Sequence, residues 1–220
     1  MMAQNADNLL PAAISPGKLN NSNKVLAIRK GQDLGAGYVP HLGLDQVYQL
    51  LKGVKDNRHA DRDRLLIITL FDGCLRISEA LQLWPQDIEN TPEGWQLHFR
   101  GVKKGGWTVA AISASLAAQL QAYAYRHQLF PDDRFFPIDR ARAFQIIQGA
   151  MDKAGIIKPA GVGTVHILRH SGAIERLRRT NPKAVQDQLR HRSMAMTLRY
   201  LKTLSQEESL KIQQTVDYQW

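Results

Sequence analysis

The stretch HILRHSGAIERLRR, residues 166–179, decides how this sequence is interpreted. We predict a helix here, and its first turn carries His166, Arg169 and His170, with further arginines behind them. A helix that only fills a core needs none of these side chains. The pattern therefore indicates a functional site, and its meaning depends on a second stretch, LRHRSMAMTLRYLKT, residues 189–203.

The composition describes a basic chain with enough apolar residues for one domain. With 220 residues and 44% hydrophobic side chains, the chain can bury a sizeable core. Its formal net charge of +9 favours a polyanionic partner, with nucleic acid ahead of an acidic membrane surface. A basic protein without such a partner is the alternative that charge alone leaves open.

Cysteine content and hydropathy exclude several classes of protein. Cys74 is the single cysteine, so the chain has no intrachain disulfide and no cysteine-based zinc site, and its apolar surroundings predict burial. No apolar run approaches the ~18–20 residues of a membrane-spanning helix, and the first residues lack the pattern of a signal peptide. We therefore expect a cytoplasmic, nucleoid-associated bacterial protein with no membrane partner.

The first part of the chain differs from the rest. Residues 1–40 are rich in Asn, Gly, Pro, Ser and Ala and show little periodicity, which predicts a flexible N-terminal leader. A short docking arm is the alternative. Residues 41–220 alternate helical patterns with turn signals, and they predict a single domain that ends in a C-terminal helix.

The fold predicted for this domain is mainly α with a small antiparallel β-hairpin, an α+β arrangement. Periodicity and capping signals predict helices near residues 44–51, 62–72, 76–83, 115–127, 141–154, 165–179 and 182–190, then one after Ser193 and a last one from the S-x-x-E box at Ser205 to about residue 216. Between them, residues 95–112 alternate apolar and polar side chains around Gly105-Gly106. This pattern predicts the hairpin, with Lys103 and Lys104 at its tip or on its second strand.

Positive charge is concentrated in the C-terminal part of the chain. Between residues 160 and 204 there are nine lysines and arginines and two acidic residues, so this segment carries seven of the nine net charges. Such a density predicts a face that follows the phosphates of a nucleic acid, with an ordinary solvated basic face as the alternative. The residues predicted to contact DNA are Lys104, Arg176, Arg178, Arg179, Lys183, Arg190, Arg192 and Arg199.

The side chains of the quoted helix suit an anionic ligand. The planar guanidinium of Arg169 can grip two phosphate oxygens at once, and His166 lies three residues away on the same helical face. His170 stands four residues after His166, a spacing that also fits a pair of metal ligands. The residue after His166 is Ile167 and not the glutamate of an H-E-x-x-H motif, so we expect no metal and no other cofactor.

Several motifs occur together in a fixed order. The chain shows GCLRISEA at residues 73–80, then the lysine-bearing hairpin, HILRH at residues 166–170, and LRH at residues 189–191 with Tyr200 following nine residues after the histidine. In this combination the chain resembles the tyrosine recombinase (phage integrase) family of site-specific DNA recombinases, over about residues 42–216. The resemblance implies the fold of that family's catalytic domain.

The resemblance also implies a catalytic set and a reaction. The matching positions are Arg76, Lys103, His166, Arg169, His191 and Tyr200, with Lys104 as a less favoured alternative to Lys103. In this scheme the arginines clamp the phosphate, the tyrosine attacks it, His166 accepts the tyrosine proton, and the lysine protonates the leaving 5′ oxygen. The expected function is cleavage and rejoining of DNA strands through a 3′-phosphotyrosyl intermediate, without metal or ATP, in integration, excision, inversion or resolution. Glu79 is expected to orient Arg76.

The implied partners are double-stranded DNA, further copies of the chain in a DNA-bound homotetramer, and accessory DNA-bending proteins. A final helix from Gln206 to about Val216 is expected to pack on a neighbouring subunit, and packing on its own domain is the alternative. Two other functions fit the same scaffold. One is a catalytically silent DNA-binding accessory protein, which would have no reason to keep Arg76 and Tyr200 together. The other is a type IB topoisomerase, which would relax supercoiled DNA without a specific site.

Two features depart from the family pattern. The family commonly has Leu-Gly-His where this chain has Leu189, Arg190 and His191. Many members also carry a separate DNA core-binding domain before the catalytic domain, whereas only residues 1–40 precede it here. The chain thus resembles the short members that consist of the catalytic domain alone.

Overall fold

The computed structural model describes residues 38–100 and 106–214. In this part of the chain the helices are α1 Leu44–Gly53, α2 Ala60–Asp72, α3 Ile77–Ala80, α4 Ala114–Arg126, α5 Arg140–Lys153, α6 His166–Leu177, α7 Pro182–Leu189 and α8 Met194–Gln214, and the strands are β1 Ile88–Thr91, β2 Gly94–Arg100 and β3 Trp107–Ala111. This confirms the predicted fold class, which is mainly α with a small antiparallel sheet. No helix among these residues is long and apolar enough to cross a membrane.

Short polar side chains set the starts of several helices. Ser113 and Asp139 cap α4 and α5, because each side chain accepts a hydrogen bond from the backbone amide three residues further on. Asn181 does the same for α7, and Pro182 occupies the first helical position, so α7 begins where the sequence predicted a helix. These caps supply partners for amides that have none within the helix.

Two apolar clusters hold the domain together. The larger cluster lies between α1, α2, α4, α5, the start of α6 and the sheet, and its fully buried members include Leu50, Leu66, Leu97, Leu120 and Ile147. The smaller cluster lies under the C-terminal helices and contains Cys74, Ile174, Leu189, Tyr200 and Leu204. The predicted nucleophile is therefore also a core residue, and Cys74 is buried as predicted.

Helix α6, which begins the quoted stretch, packs closely against α2. Gly172 makes this approach possible. A Cβ atom at this position would lie 1.9 Å from the carbonyl oxygen of Phe71 and 3.0 Å from Sγ of Cys74. No side chain fits that gap. Glycine at position 172 therefore lets α6 lie close to the end of α2, where GCLRISEA begins.

The sheet has one strand more than the predicted hairpin. Strand β1 pairs with β2 and β2 pairs with β3, both antiparallel. Because β1 is only four residues long, it gives little alternating signal, although Pro92, Glu93 and Gly94 after it form a recognisable turn sequence. The tip of the predicted hairpin, residues 101–105, lies outside the described residues.

The C-terminal segment forms one helix where the sequence predicted two. Helix α8 runs from Met194 to Gln214, so the S-x-x-E box at Ser205 does not begin a new helix. The residues from Met194 to Ser205 include no glycine or proline, and the buried face of the helix continues through Thr203 and Leu204. Burial along one face therefore keeps the helix continuous. The helix within RISEALQL is shorter than predicted, since α3 covers only Ile77–Ala80.

Residues 38–40, which the composition assigned to the leader, pack on the domain. Val39 is buried, and its backbone amide donates to Oγ1 of Thr203 on α8 at 2.8 Å. The hydroxyl of Tyr38 donates to Oε1 of Glu207 at 3.3 Å. The chain before α1 thus lies against α8, and the rest of the predicted leader lies outside the described residues.

Candidate active site

A cavity of about 830 Å³ opens where the start of α3, the first turn of α6 and the α7–α8 turn meet. Five of the six predicted catalytic residues line it, and they are Arg76, His166, Arg169, His191 and Tyr200. The sixth, Lys103, lies outside the described residues, as does its alternative Lys104. The fold therefore gathers around one space residues that are far apart in the sequence.

A buried carboxylate holds Arg76 at the edge of the cavity. Oε2 of Glu79 accepts the backbone amide of Arg76 at 2.7 Å, and Oε1 accepts its Nη1 at 2.8 Å. The Glu79 side chain is 2% exposed, whereas that of Arg76 is 41% exposed. Arg76 thus keeps donors that a ligand in the cavity can reach, while Glu79 fixes its orientation, which is the role predicted for it.

Arg169 lies at the base of the cavity and is almost completely buried. Its Nη1 donates to the carbonyl oxygen of Cys74 at 2.5 Å, and its Nη2 donates to that of Leu189 at 2.6 Å. Burial, and then the positive charges of Arg76 and Arg190, lower the pKa of Arg169 to about 10. The guanidinium is therefore still charged at neutral pH, and two backbone carbonyls fix its plane.

Three histidines surround the same space. The rings of His166 and His170 meet edge to face with 4.5 Å between their centroids, and the ring of His191 stacks on Tyr200 at 6.0 Å. Burial, followed by nearby positive charge, lowers the pKa of all three, to about 3 for His170 and about 4 for His191. At neutral pH each imidazole is uncharged, so it offers one N–H donor and one acceptor nitrogen.

Tyr200 points into the cavity from α8. The residue is only 4% exposed, and burial raises the pKa of its hydroxyl to about 12. Its phenol oxygen lies 2.6 Å from Nδ1 of His170. In the neutral tautomer that carries its proton on Nε2, His170 accepts this hydrogen bond from the phenol at Nδ1. A tyrosine in this state becomes a nucleophile only when a neighbouring group takes its proton.

His170 is the functional candidate that sequence reasoning missed. The sequence suggested it only as half of a metal pair and gave the proton-accepting role to His166. In the structure, the hydroxyl of Tyr200 forms its hydrogen bond with His170 instead. The signal in the sequence was a second histidine beside Arg169, but which ring reaches α8 depends on how α6 and α8 pack. Within residues 38–100 and 106–214, no three His, Cys, Asp or Glu side chains come together as metal ligands.

The basic residues predicted to contact DNA fall into two groups among those that the structure describes. Arg192 and Arg199 are exposed, and Arg199 lines the cavity. The others have acidic partners, which are Asp72 for Arg176, Glu175 and Glu207 for Arg178, Glu175 for Arg179, Asp187 for Lys183 and Glu79 for Arg190. Of these, Arg190 has the least exposed side chain, at 15%.

Comparison with known proteins finds a match to the Phage integrase family over residues 41–207. A putative integrase/recombinase of Sinorhizobium fredii, y4qK, is 32% identical over 167 residues, which cover 73% of this chain and 51% of the relative. Tyrosine recombinase XerD of Corynebacterium glutamicum is 30% identical over 147 residues, or 63% of this chain and 47% of the relative. Type 1 fimbriae regulatory protein FimE of Escherichia coli is 26% identical over 166 residues, or 70% and 81%.

Solved structures share the fold. The XerH site-specific recombinase bound to palindromic difH substrate superposes with a TM-score of 0.66 at 22% identity, over 80% of this chain and 53% of that chain. The catalytic domain of bacteriophage HP1 integrase does so with a TM-score of 0.59 at 22% identity, over 79% and 94%. These matches confirm the predicted catalytic-domain fold.

The extent of the matches differs between this chain and its relatives. The chain spans about half the length of the first curated relatives that it matches. The family match, in contrast, covers residues 41–207, which is most of this chain. With this match, the ordered motifs and the shared fold, the chain belongs to the tyrosine recombinase (phage integrase) family.

Proposed function

We propose that this chain is a site-specific DNA recombinase that cleaves and rejoins DNA strands through Tyr200. One observation carries the proposal. The buried phenol of Tyr200, hydrogen-bonded to His170 at 2.6 Å, faces the same cavity as the guanidinium groups of Arg76 and Arg169. A nucleophile, a proton acceptor and two anion-binding groups around one space support a phosphoryl transfer. The DNA bound to XerH supports DNA as the substrate class.

The cationic groups would bind the scissile phosphate. Arg76 and Arg169 would each donate to a non-bridging oxygen, and His166 and His191 would add hydrogen bonds. Attack on phosphorus creates a pentacoordinate state with more negative charge, and positive groups already in place stabilise it most. Glu79 and two backbone carbonyls hold the two arginines before any DNA arrives. Little reorganisation is then needed when the phosphate binds.

The proton of Tyr200 would pass to His170 during the attack. Forming a free phenolate first would cost roughly 7 kcal/mol at pH 7 for a hydroxyl with a pKa of about 12. A transfer to Nδ1 of His170 as the phenol oxygen bonds to phosphorus avoids that state. The negative charge of the bound phosphate would raise the pKa of His170 from its low value in the free protein, which makes it a better proton acceptor. We therefore give His170 the role of general base that the sequence suggested for His166.

The leaving group would be the 5′ oxygen of the DNA strand. As the new bond from Tyr200 to phosphorus forms, the bond from phosphorus to O5′ breaks, and O5′ takes a proton from Lys103 or Lys104. The 3′-phosphotyrosyl link keeps the energy of the phosphodiester, so a second 5′ hydroxyl can reverse the step on another strand. The cycle then needs neither ATP nor a metal ion.

The exposed face of α8 supports assembly with further copies on DNA. Leu198 and Leu201 are 47% and 38% exposed and lie three residues apart on the helix, opposite the buried Tyr200 and Thr203. Up to Glu207 the helix packs on its own domain. A neighbouring subunit bound to the same DNA would cover the leucine face, and accessory DNA-bending proteins would act on the site and not on this chain.

Covalent capture tests the proposal. The protein is incubated with DNA from the regions that flank its gene, the reaction is stopped with detergent, and protein-linked fragments are sequenced. Mass spectrometry of the peptide left on the 3′ end should identify Tyr200. Tyr200→Phe should lose the adduct while it keeps DNA binding, and Tyr125→Phe should retain it, because Tyr125 is 87% exposed and does not line the cavity.

The other functions give different results in the same experiment. An adduct that persists in Tyr200→Phe would overturn the assignment of the nucleophile. DNA binding by the wild type without any adduct would indicate an accessory protein. Relaxation of supercoiled plasmid regardless of its sequence would indicate a type IB topoisomerase.

A further inference from the structure

Arg190 occupies a backbone conformation that favours glycine. It ends α7 with φ 54° and ψ 43°, in the left-handed helical region. A residue with a side chain is strained in this conformation, whereas glycine adopts it freely. Because strain of this kind persists only where surrounding contacts hold it, the contacts of the Arg190 side chain need an explanation.

The side chain of Arg190 runs inward and joins three elements. Nη2 donates to Oε2 of Glu79 on α3 at 2.7 Å, and Nη1 donates to the carbonyl oxygen of Gln188 on α7 at 2.7 Å. The guanidinium carbon also lies 4.9 Å from the centroid of the Phe99 ring on β2. This is cation–π distance, and it links Arg190 to the strand that leads towards Lys103.

Glu79 is shared by three arginines. Besides Arg190, its carboxylate accepts Nη1 of Arg76 at 2.8 Å and lies 3.7 Å from Nη1 of Arg169. One carboxylate thus faces three guanidinium groups, so two positive charges stay uncompensated beside the cavity. A phosphodiester brings one negative charge, and the pentacoordinate state gains a second as the Tyr200 proton leaves during the attack. The cluster therefore balances the charge of the transition state better than that of the bound substrate.

The backbone of Arg190 also positions the next residue, His191. Nδ1 of His191 lies 3.0 Å from Oγ1 of Thr197, and its carbonyl oxygen accepts Nε2 of Gln186 at 3.2 Å. The turn that presents His191 to the cavity is thus fixed on one side by these contacts and on the other by the bond from Arg190 to Glu79.

We infer that Arg190 is a positioning residue for strand transfer, which ties the turn carrying His191 to the carboxylate that orients Arg76. The inference rests on the proposed function. The sequence suggested that Arg190 contacts DNA directly. Since its two terminal nitrogens donate to Glu79 and Gln188, it acts through the phosphate clamp instead. Its loss would leave the nucleophile in place but loosen the groups that bind the phosphate.

Arg190→Gly is the main test, because it removes the side chain and the backbone strain together. The rate of adduct formation at saturating DNA should fall about 10- to 100-fold, while DNA affinity changes less than about threefold and the thermal midpoint stays close to that of the wild type. Arg190→Lys keeps the charge without the planar fork and should restore part of the rate. Arg140→Gln removes one exposed charge away from the cavity and should match the wild type in all three measurements.

A second measurement does not depend on DNA cleavage. Inorganic phosphate is titrated into the wild type and the variants, and binding is followed by NMR of the histidine ring signals. Phosphate should bind several-fold more weakly to Arg190→Gly than to Arg140→Gln. If the wild type forms no adduct with any DNA, the proposed function fails, and this titration alone decides the role of Arg190.

The outcomes separate positioning from a structural role. A lower thermal midpoint with an unchanged adduct rate and unchanged phosphate affinity would show that Arg190 only stabilises the fold. If Arg190→Gly forms the adduct and binds phosphate as well as the wild type does, the inference is wrong. Should Arg190→Gly fail to fold, Arg190→Lys gives the same comparison, because lysine lacks the planar guanidinium that donates to both Glu79 and Gln188. An unchanged adduct rate and phosphate affinity in Arg190→Lys would contradict the inference.

Discussion

Nδ1 of His170 on α6 lies 2.6 Å from the phenol oxygen of Tyr200 on α8. His166, one turn earlier on α6, meets the edge of the His170 ring. The two histidines thus differ in what they can do, although they share a helix face. In the proposed reaction, His170 would accept the proton of Tyr200, and His166 would face the phosphate.

Replacing His170 with glutamine should slow cleavage far more than it affects DNA binding. Glutamine can accept the hydrogen bond of Tyr200 but not its proton, so the rate of adduct formation should fall about 10²- to 10⁴-fold. A substrate with sulfur in place of the bridging 5′ oxygen needs no proton on its leaving group. This substrate should therefore restore the cleavage rate of Lys103→Ala, or of Lys104→Ala if Lys104 is the general acid. It should not restore the cleavage rate of His170→Gln, which lacks the proton acceptor for Tyr200.

A control and a competing outcome complete this test. His127→Gln changes an exposed histidine outside the cavity and should cleave like the wild type. A wild-type rate in His170→Gln together with a large loss in His166→Gln would return the role of general base to His166.

The three histidines of the cavity should make stability depend on pH. The pKa is lowered to about 3 for His170 and to about 4 for His191, and it is lowered for His166 as well. In the unfolded chain each titrates near its ordinary value of ~6.5, so below that pH the unfolded chain binds protons that the folded protein does not. The free energy of unfolding should reach its highest value above pH 6.5 and fall as the pH drops towards 4. His170 and His191 should each contribute up to about 1.4 kcal/mol per pH unit to this fall.

Urea unfolding at several pH values between 7 and 4.5 measures this slope. His170→Gln should give a shallower slope than the wild type, because one of the groups that resists protonation is gone. The charges that face His170 come from its own helix, in His166 and Arg169, and from the α7–α8 turn and α8, in His191 and Arg199. Parallel slopes for the two proteins would mean that His170 titrates normally in the fold.

The sequence predicted those parts of the site that short motifs encode. Arg76, Arg169 and Tyr200 lie in motifs of several letters each, and the structure brings all three to one cavity. The partner of Tyr200 was not predictable in the same way. His166 and His170 are one turn apart on α6, and only the packing of α6 against α8 decides which ring the phenol meets.

Arg190 shows the same limit for charge patterns. Its place in a basic segment predicted a surface contact, but its left-handed backbone turns the side chain back towards Glu79. The continuity of α8 also depends on tertiary contacts, because a capping motif at Ser205 is overridden where the buried face of the helix continues. Local signals set the helix starts at Ser113, Asp139 and Asn181, where no such conflict arises.

Two glycine substitutions should have opposite effects on stability. Gly172→Ala would put a methyl group 1.9 Å from the carbonyl oxygen of Phe71, so α2 and α6 must separate. We expect a loss of at least about 2 kcal/mol in the free energy of unfolding, as for other overpacked cores. Gly149→Ala on α5 meets nothing within 4 Å and should stabilise by up to about 1 kcal/mol. Urea unfolding of both variants measures the difference, and equal effects would contradict the close approach of α2 and α6.

Salt dependence of DNA binding should distinguish free from paired basic residues. Arg192 is exposed and makes no ion pair with any residue that the structure describes, whereas Nζ of Lys183 lies 2.6 Å from Oδ1 of Asp187. Each phosphate that a cation neutralises adds about 0.9 to the slope of log affinity against log salt. Lys183 must give up its carboxylate partner to bind a phosphate, so its net contribution is smaller.

Arg192→Ala should therefore lower DNA affinity more than Lys183→Ala and reduce the salt slope by about 1. The loss should be similar on all sequences, because a phosphate contact reads no base. Asp187→Asn frees Lys183 and should raise affinity, and Lys183→Ala should then cost more in that background. Fluorescence anisotropy between about 50 and 200 mM salt measures these slopes. Equal losses for the two single variants would remove the distinction between free and paired residues, and an affinity that does not change with salt would remove phosphate contact as the main term in binding.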